Sequence, residues 1–335
     1  MILDYFRRLT FQSFLHSFYA EFSGQGWSLL SSAPHYMNVA FPDFCIQYFI
    51  ASFSKKDNVI VTGMIPFLEV SYWSLTLYDT NGLPLYNWTD KDFIGEQYSL
   101  SLYNGSPTKL PDYYTLIIRF YRNSDYVHSN MFTWLPSLHC NGRELEPVPI
   151  RKRNHDSLSM TKKLYQLLTK RRFSSIEKPR FFLPPSKNLN SLFPNPDAMY
   201  LVAFPSKTNV IKIKGKLPKN IGINFSRRFL SFMAGDLATT ATDDSISNGQ
   251  LSENYILFVA FEKKEAKKYG FDPEDPHHHL ILWKKGNQNP LLIYREVRLD
   301  QKGLFRFQKE TNGKDWEEVR KAMGIYYPMV MVLDE

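Results

Sequence analysis

Apolar residues along the chain fall either on alternate positions or in short unbroken runs, the spacing of strands. Phe44 to Phe53, Val59 to Gly63, Tyr72 to Tyr78, Tyr113 to Tyr121 and Met131 to Trp134 each predict a strand. Asp57-Asn58 and Thr80-Asn81-Gly82 stand between them and predict turns, the second one of hairpin type. Farther along, Phe229-Leu230-Ser231-Phe232-Met233 predicts a buried strand. It is expected to break at Ala234-Gly235-Asp236 and to deliver a polar loop that runs to Ser247, since Gly takes unusual backbone angles and short polar side chains bond nearby backbone. Tyr72 to Asp79 is its counterpart in the first half.

Helical spacing is confined to a few places. Phe11, Phe14, Leu15, Phe18 and Phe22 form a stripe over residues 3–22, an amphipathic helix for a domain surface or a partner. Leu158, Leu164, Tyr165, Leu167 and Leu168 form another, beginning at Asp156 or Ser157. Glu262 to Tyr269 predicts a short charged helix or turn, and Asp315 to Met323 a short helix. The closing run Tyr326 to Val332 is apolar enough to require burial.

The second half repeats the first. Pro42-Asp43 before Tyr48-Phe49-Ile50-Ala51 matches Pro196-Asp197 before Tyr200-Leu201-Val202-Ala203. Asn58-Val59-Ile60 matches Asn209-Val210-Ile211, and Gly63-Met64-Ile65-Pro66 matches Gly215-Lys216-Leu217-Pro218. Ser74 and Asp79 match Ser231 and Asp236; Tyr114 to Ile118 matches Tyr255 to Val259; His128 and Trp134 match His277 and Trp283. The pattern predicts a mostly β chain with two tandem antiparallel β-sandwich, jelly-roll-like domains from an internal duplication. The expected divisions are an N-terminal helix (1–26), a first sandwich (27–150), a basic helix and Pro-rich linker (151–194), a second sandwich (195–300) and a C-terminal extension (301–335).

Composition sharpens this picture in four respects. Aromatics make up 16% of the 335 residues, which favours β structure. Two cysteines, Cys45 and Cys140, are no disulfide framework, so a reducing compartment is the default. No apolar run is long enough for a bilayer, and no signal-peptide pattern opens the sequence; an intracellular or virion setting is expected over secretion. The net charge of +8 is concentrated in one segment, where Arg151, Lys152, Arg153, Lys162, Lys163, Lys170, Arg171 and Arg172 face a single acid, Asp156. That segment is a candidate contact for an acidic protein or an anionic membrane. It lacks the interleaved aromatics that single-stranded nucleic acid would need, so nucleic acid is not the expected partner.

Val210 to Pro218, Arg228 to Ser247, Tyr255 to Phe261 and Leu291 to Arg295 resemble the paired bacterial families known as domains of unknown function twelve-fourteen and twelve-fifty-four. The resemblance is best over about 195–298, with a more diverged copy over about 40–148. It implies β-rich, jelly-roll-like domains and carries no shared reaction.

Candidate chemistry centres on Asp275-Pro276-His277-His278-His279. If a strand follows, His277 and His279 share a face. With a carboxylate from Asp236 or Asp243 they would hold a divalent transition metal such as Zn, Fe or Mn in a cupin-like manner. The Glu and the third His of the cupin pattern are absent. Asp79 and Asp236 end equivalent strands, where a carboxylate either serves acid–base chemistry or bonds its own turn. There is no nucleophile elbow, phosphate loop, zinc-metallopeptidase helix or dinucleotide fingerprint. The expected function is that of a non-catalytic structural or interaction protein without cofactor, a component of a larger assembly such as a virion. It would meet a partner or itself through the N-terminal helix and the C-terminal tail. The alternative is a metal-dependent enzyme using His277, His279 and Asp236.

Overall fold

The computed structural model of the chain describes residues 19, 20, 22–31, 43–66, 70–103, 105, 108–122, 134–148, 180, 181, 195–205, 210–219, 221, 227–236, 241–287, 289–298 and 316–333. Of the expected N-terminal helix, Tyr19, Ala20 and Phe22 are within this set and helical. The rest of that helix, the basic segment 151–172, His128 and the run Met131 to Thr133 lie outside it. The protein is mostly β, and its chain divides into two units. Unit 1 comprises Met1–Met37, Ile46–Leu168 and Leu192–Pro196; unit 2 comprises Asn38–Cys45, Thr169–Ser191 and Asp197–Glu335.

Unit 1 contains β1 (Ser28–Ser31), β2 (Ile46–Ser54), β3 (Val59–Met64), β4 (Val70–Tyr78), β5 (Pro84–Thr89), β6 (Gln97–Leu102), β7 (Tyr113–Arg122), β8 (Ser137–Cys140) and β9 (Arg143–Glu144). They form two antiparallel sheets, β1-β2-β7-β4-β5 and β6-β3-β8-β9. Alternation along each strand builds the core between them. Phe49, Ala51 and Phe53 of β2, Trp73, Leu75 and Leu77 of β4, and Leu116, Ile118 and Phe120 of β7 meet Val59, Val61, Tyr98, Leu102 and Leu138 of the facing sheet. Each large apolar side chain fully buried this way contributes about 1.5–3 kcal/mol. The opposite face of the central strands is also buried, at Tyr48, Ile50, Ser52, Ser74, Thr76, Ile117 and Arg119. That explains why these segments read as unbroken apolar runs with few clean alternations.

Unit 2 contains β10 (Ala198–Ala203), β11 (Ile211–Lys216), β12 (Arg227–Asp236), β13 (Ala241–Ser247), β14 (Asn254–Ala260), α1 (Lys263–Lys268), β15 (His278–Leu282), β16 (Pro290–Arg298), α2 (Trp316–Met323) and β17 (Met329–Val332). Its sheets are β10-β16-β12-β13 and β15-β14-β11-β17. Met199, Leu201, Leu230, Phe232, Leu292 and Tyr294 from the first meet Ile211, Ile213, Leu257, Val259 and Ile281 from the second. β15 runs parallel to β14, reached through α1; the other pairings are antiparallel.

Strand order in the two units agrees: β2-β7-β4-β5 corresponds to β10-β16-β12-β13, and β6-β3-β8 to β14-β11-β17. This corrects part of the sequence match. Tyr114 to Ile118 lies in β7, between β2 and β4, whereas Tyr255 to Val259 lies in β14 on the other sheet. The topological counterpart of β7 is β16, and that of β14 is β6. Two apolar runs of similar length and composition look alike in sequence whichever sheet they join. The match of Trp134 with Trp283 goes the same way: Trp134 precedes β8, and Trp283 follows β15, whose parallel partner is β14.

Three further expectations change. The described parts of the polar run after Ala234 are strand: β12 continues through Asp236, and Ala241–Ser247 returns beside it as β13. An edge strand needs few apolar residues, so its polarity was misleading. The C-terminal extension, expected as a separate segment whose apolar run must be buried, belongs to unit 2: β17 pairs with β11, and Val319 and Tyr327 join the core of unit 2. Finally, Asp43, which precedes β2 of unit 1, belongs to unit 2, and Asn195, which precedes β10 of unit 2, belongs to unit 1. Asn195 Nδ2 donates to Tyr121 Oη at 2.7 Å.

Candidate functional site

The histidine cluster is set by β15. The backbone N–H of Ile256 on β14 donates to the His277 carbonyl, so His277 already follows the ladder. His278 turns one way, its ring centroid 5.3 Å from that of Phe258 and 6.3 Å from that of Phe271, with Nδ1 accepting the N–H of Asp272 at 3.0 Å. His277 and His279 turn the other way and meet at Ser252. The Ser252 hydroxyl oxygen lies 3.3 Å from His277 Nδ1 and 3.3 Å from His279 Nε2. The Ser252 N–H donates to His279 Nε2 at 3.1 Å, so that nitrogen carries a lone pair and the proton of the neutral ring sits on Nδ1. Burial, then the rings of His277 and His278, hold His279 below the ordinary histidine value. Asp275 fixes the entry to the strand by accepting the His277 N–H at 2.8 Å.

The expected carboxylates do not join this cluster. Asp243 Oδ2 accepts Asn287 Nδ2 at 2.7 Å, and the same amide nitrogen donates to the Gly235 carbonyl at 3.0 Å. Asp244 accepts the N–H of Leu282 at 2.9 Å and that of Ser245 at 2.9 Å. Leu282 lies three residues beyond His279, about 10 Å along a strand. Burial raises the carboxyls of both Asp243 and Asp244, and the charge of Asp236 adds to the effect at Asp243. The carboxylates miss the histidines because of strand direction: β13 pairs with β12 and reaches β15 only at its C-terminal end. Among the described residues, no three His, Cys, Asp or Glu side chains are grouped to hold a metal ion. Asp79 accepts the N–H of Asn81 and of Leu83, both at 2.8 Å, and closes the β4–β5 turn, where Gly82 takes φ +72°.

What the sequence reading missed is a buried arginine at the same place in each unit. In unit 1 Arg119 of β7 stands across from Tyr48 on one side and Ser74 on the other. In unit 2 Arg295 of β16 stands across from Tyr200 and Ser231. Each guanidinium lies over its tyrosine, at 5.9 Å and 5.2 Å from the ring centroid. Arg119 donates to Thr76 Oγ1 at 3.1 Å and to Tyr78 Oη at 2.7 Å. Arg295 donates to Asp43 Oδ2 at 3.1 Å, and the Ser231 hydroxyl donates to the same oxygen. Asp43 is wholly buried and Arg295 is 5% exposed. Asp43 also accepts the N–H of Cys45, whose thiol is pushed up to about 12 by burial and by that carboxylate. The signal was present: an Arg interrupts each apolar run, Ile-Ile-Arg-Phe-Tyr and Ile-Tyr-Arg-Glu-Val, and charges seldom enter such runs unpaired.

Fold and site together define a mostly β, two-unit chain whose buried ionic groups lie in the centre of its sheets. No protein-family model matches it, and no curated protein does. Solved structures do. An uncharacterised protein from Burkholderia cenocepacia is similar with a TM-score of 0.58 and 13% identity, over 98% of this chain and 88% of that one. The VPA0106 protein of Vibrio parahaemolyticus is similar with a TM-score of 0.50 and 11% identity, over 98% of this chain and 96% of that one. At such identities the likeness is one of fold alone, and its coverage takes in both units.

Proposed function

We propose that this chain is a non-catalytic interaction protein, a component of a larger assembly, built from two copies of one jelly-roll-like module. Shared strand order and the repeated Tyr–Arg–Ser crossings, Tyr48–Arg119–Ser74 and Tyr200–Arg295–Ser231, support the duplication. Membership of the paired bacterial families twelve-fourteen and twelve-fifty-four is part of the same proposal and rests on the sequence resemblance.

One observation carries the non-catalytic reading: Asp79, Asp243 and Asp244 hold turns and loop ends of the fold. Asp79 takes two N–H groups of its own turn, Asp244 takes two, and Asp243 takes the Asn287 amide. The partner contacts proposed are the aromatic stripe of residues 3–22 and the basic residues of 151–172. Light scattering on the full chain and on a chain lacking residues 1–22 tests the reading. An assembly larger than a monomer that is lost on truncation is expected. A monomer in both cases removes the self-assembly proposal.

A further inference from the structure

We infer that His277 and His279 form a binding site for a borderline divalent transition ion, with Cu²⁺ preferred over Ni²⁺ and Zn²⁺. The site is independent of the assembly reading, and it is smaller than the carboxylate-completed centre that the sequence suggested.

Three features carry it. First, two imidazole nitrogens from alternate residues approach one point: His277 Nδ1 and His279 Nε2 each lie 3.3 Å from the Ser252 hydroxyl oxygen. Alternate residues of a strand project in parallel, so the pair is held by backbone geometry. Second, the residue between them is anchored. His278 packs on Phe258 and Phe271 and is bonded by the Asp272 N–H, which fixes the facing of both neighbours. Third, β15 is the edge strand of its sheet and His277 is exposed, so an ion reaches the pair without opening the core.

The ligand chemistry selects the ion. Neutral imidazole suits Cu, Ni and Zn, while Mg²⁺ and Ca²⁺ require oxygen ligands. Asp275, whose carboxylate lies 3.6 Å from His278 Nε2, places a negative charge beside the pair and favours a cation. On binding, the ion takes the His279 Nε2 lone pair in place of the Ser252 N–H, so Ser252 must move aside. Two protein nitrogens leave the other coordination positions to water or to a second ligand.

The test titrates untagged full-length protein with CuCl₂, NiCl₂ and ZnCl₂, and with MgCl₂ and CaCl₂ as controls, by calorimetry and by Cu²⁺ paramagnetic resonance. One ion per chain is expected, tightest for Cu²⁺, with two-nitrogen coupling in the resonance spectrum and no heat from Mg²⁺ or Ca²⁺. His277→Ala with His279→Ala must abolish it, while the remaining histidines of the chain are left in place. If the double variant does not fold, His277→Gln, at an exposed position, carries the comparison by itself and must lose one coupled nitrogen. Absence of uptake by the native chain, or uptake and coupling unchanged in the variants, overturns the assignment.

Discussion

Gly215 of β11 lies directly across the ladder from Tyr255 of β14, and the phenol of Tyr255 fills the place a side chain at 215 would take. A Cβ built on Gly215 would stand 2.2 Å from Tyr255 Oη and 2.4 Å from Cζ. Unit 1 repeats the pair: Gly63 of β3 faces Tyr98 of β6, with the phenol 3.0 Å from the corresponding point. Neither glycine has a positive φ, so each is required for space and not for backbone freedom. Tyrosine covering a cross-strand glycine supplies the packing that glycine lacks.

Gly215→Ala therefore overpacks the core of unit 2. Tyr255 is 2% exposed and packs edge-on to Phe232, so its ring has little room to retreat. A loss of about 1–3 kcal/mol is expected from such overpacking. Gly63→Ala, with nearest contacts of 2.9–3.1 Å, costs less. Urea unfolding of the two variants checks the order; equal losses, or a larger loss at Gly63, contradict it.

Arg295→Met takes a hydrogen-bonded cation away from the buried Asp43 carboxylate. Breaking a buried pair on one side costs about 3–5 kcal/mol, whereas removing both charges is far cheaper. The variant Asp43→Leu with Arg295→Met should thus lose clearly less than the two single losses combined, in a double-mutant cycle read by chemical denaturation. Additive losses would mean that the contact seen at 3.1 Å contributes nothing specific.

A fragment starting at Asp197 lacks Asp43, although it holds every strand of unit 2. It is expected to melt below the full-length chain, and Asp43→Ala made in the full-length chain should reproduce part of that decrease. Calorimetry showing the fragment as stable as the intact protein would argue against a structural role for this carboxylate.

His279 makes stability depend on pH in a definite sense. Its folded pKa is lowered by burial and by the adjacent rings, so the folded state binds fewer protons than the unfolded one. The contribution is complete above the unfolded value of about 6.5 and is lost as pH falls through the lower folded value. Asp243 and Asp244, whose carboxyls burial raises, act in the opposite sense and nearer the carboxylate range. Urea midpoints measured on either side of the histidine range should fall more on acidification in the native chain than in His279→Gln. Parallel curves would rule the ring out as the cause.

The central strands of unit 1 were legible because their signal is local. Ile46–Ser54, Val70–Tyr78 and Tyr113–Arg122 alternate or run apolar within one segment, and Asn81-Gly82 marks the hairpin between β4 and β5. So was the side on which His277 and His279 project, since that follows from the two-residue period alone. The sequence also matched Ser74 with Ser231 and Gly63 with Gly215. It matched Tyr114 to Ile118 with the wrong strand, because sheet membership leaves no local mark on a strand buried on both faces.

What the chain dictates by itself is the set of short segments that must be extended and half or wholly buried, because side-chain alternation and turn chemistry act between near neighbours. Only the tertiary structure decides which strands lie side by side, and hence that Arg119 and Arg295 occupy one equivalent place, that Tyr98 and Tyr255 cover equivalent glycines, and that Asp243 and Asp244 close the far end of β15 away from the histidines. Pairing between strands tens or hundreds of residues apart depends on the combined burial and hydrogen bonding of whole sheets, a quantity that no single stretch of the chain contains.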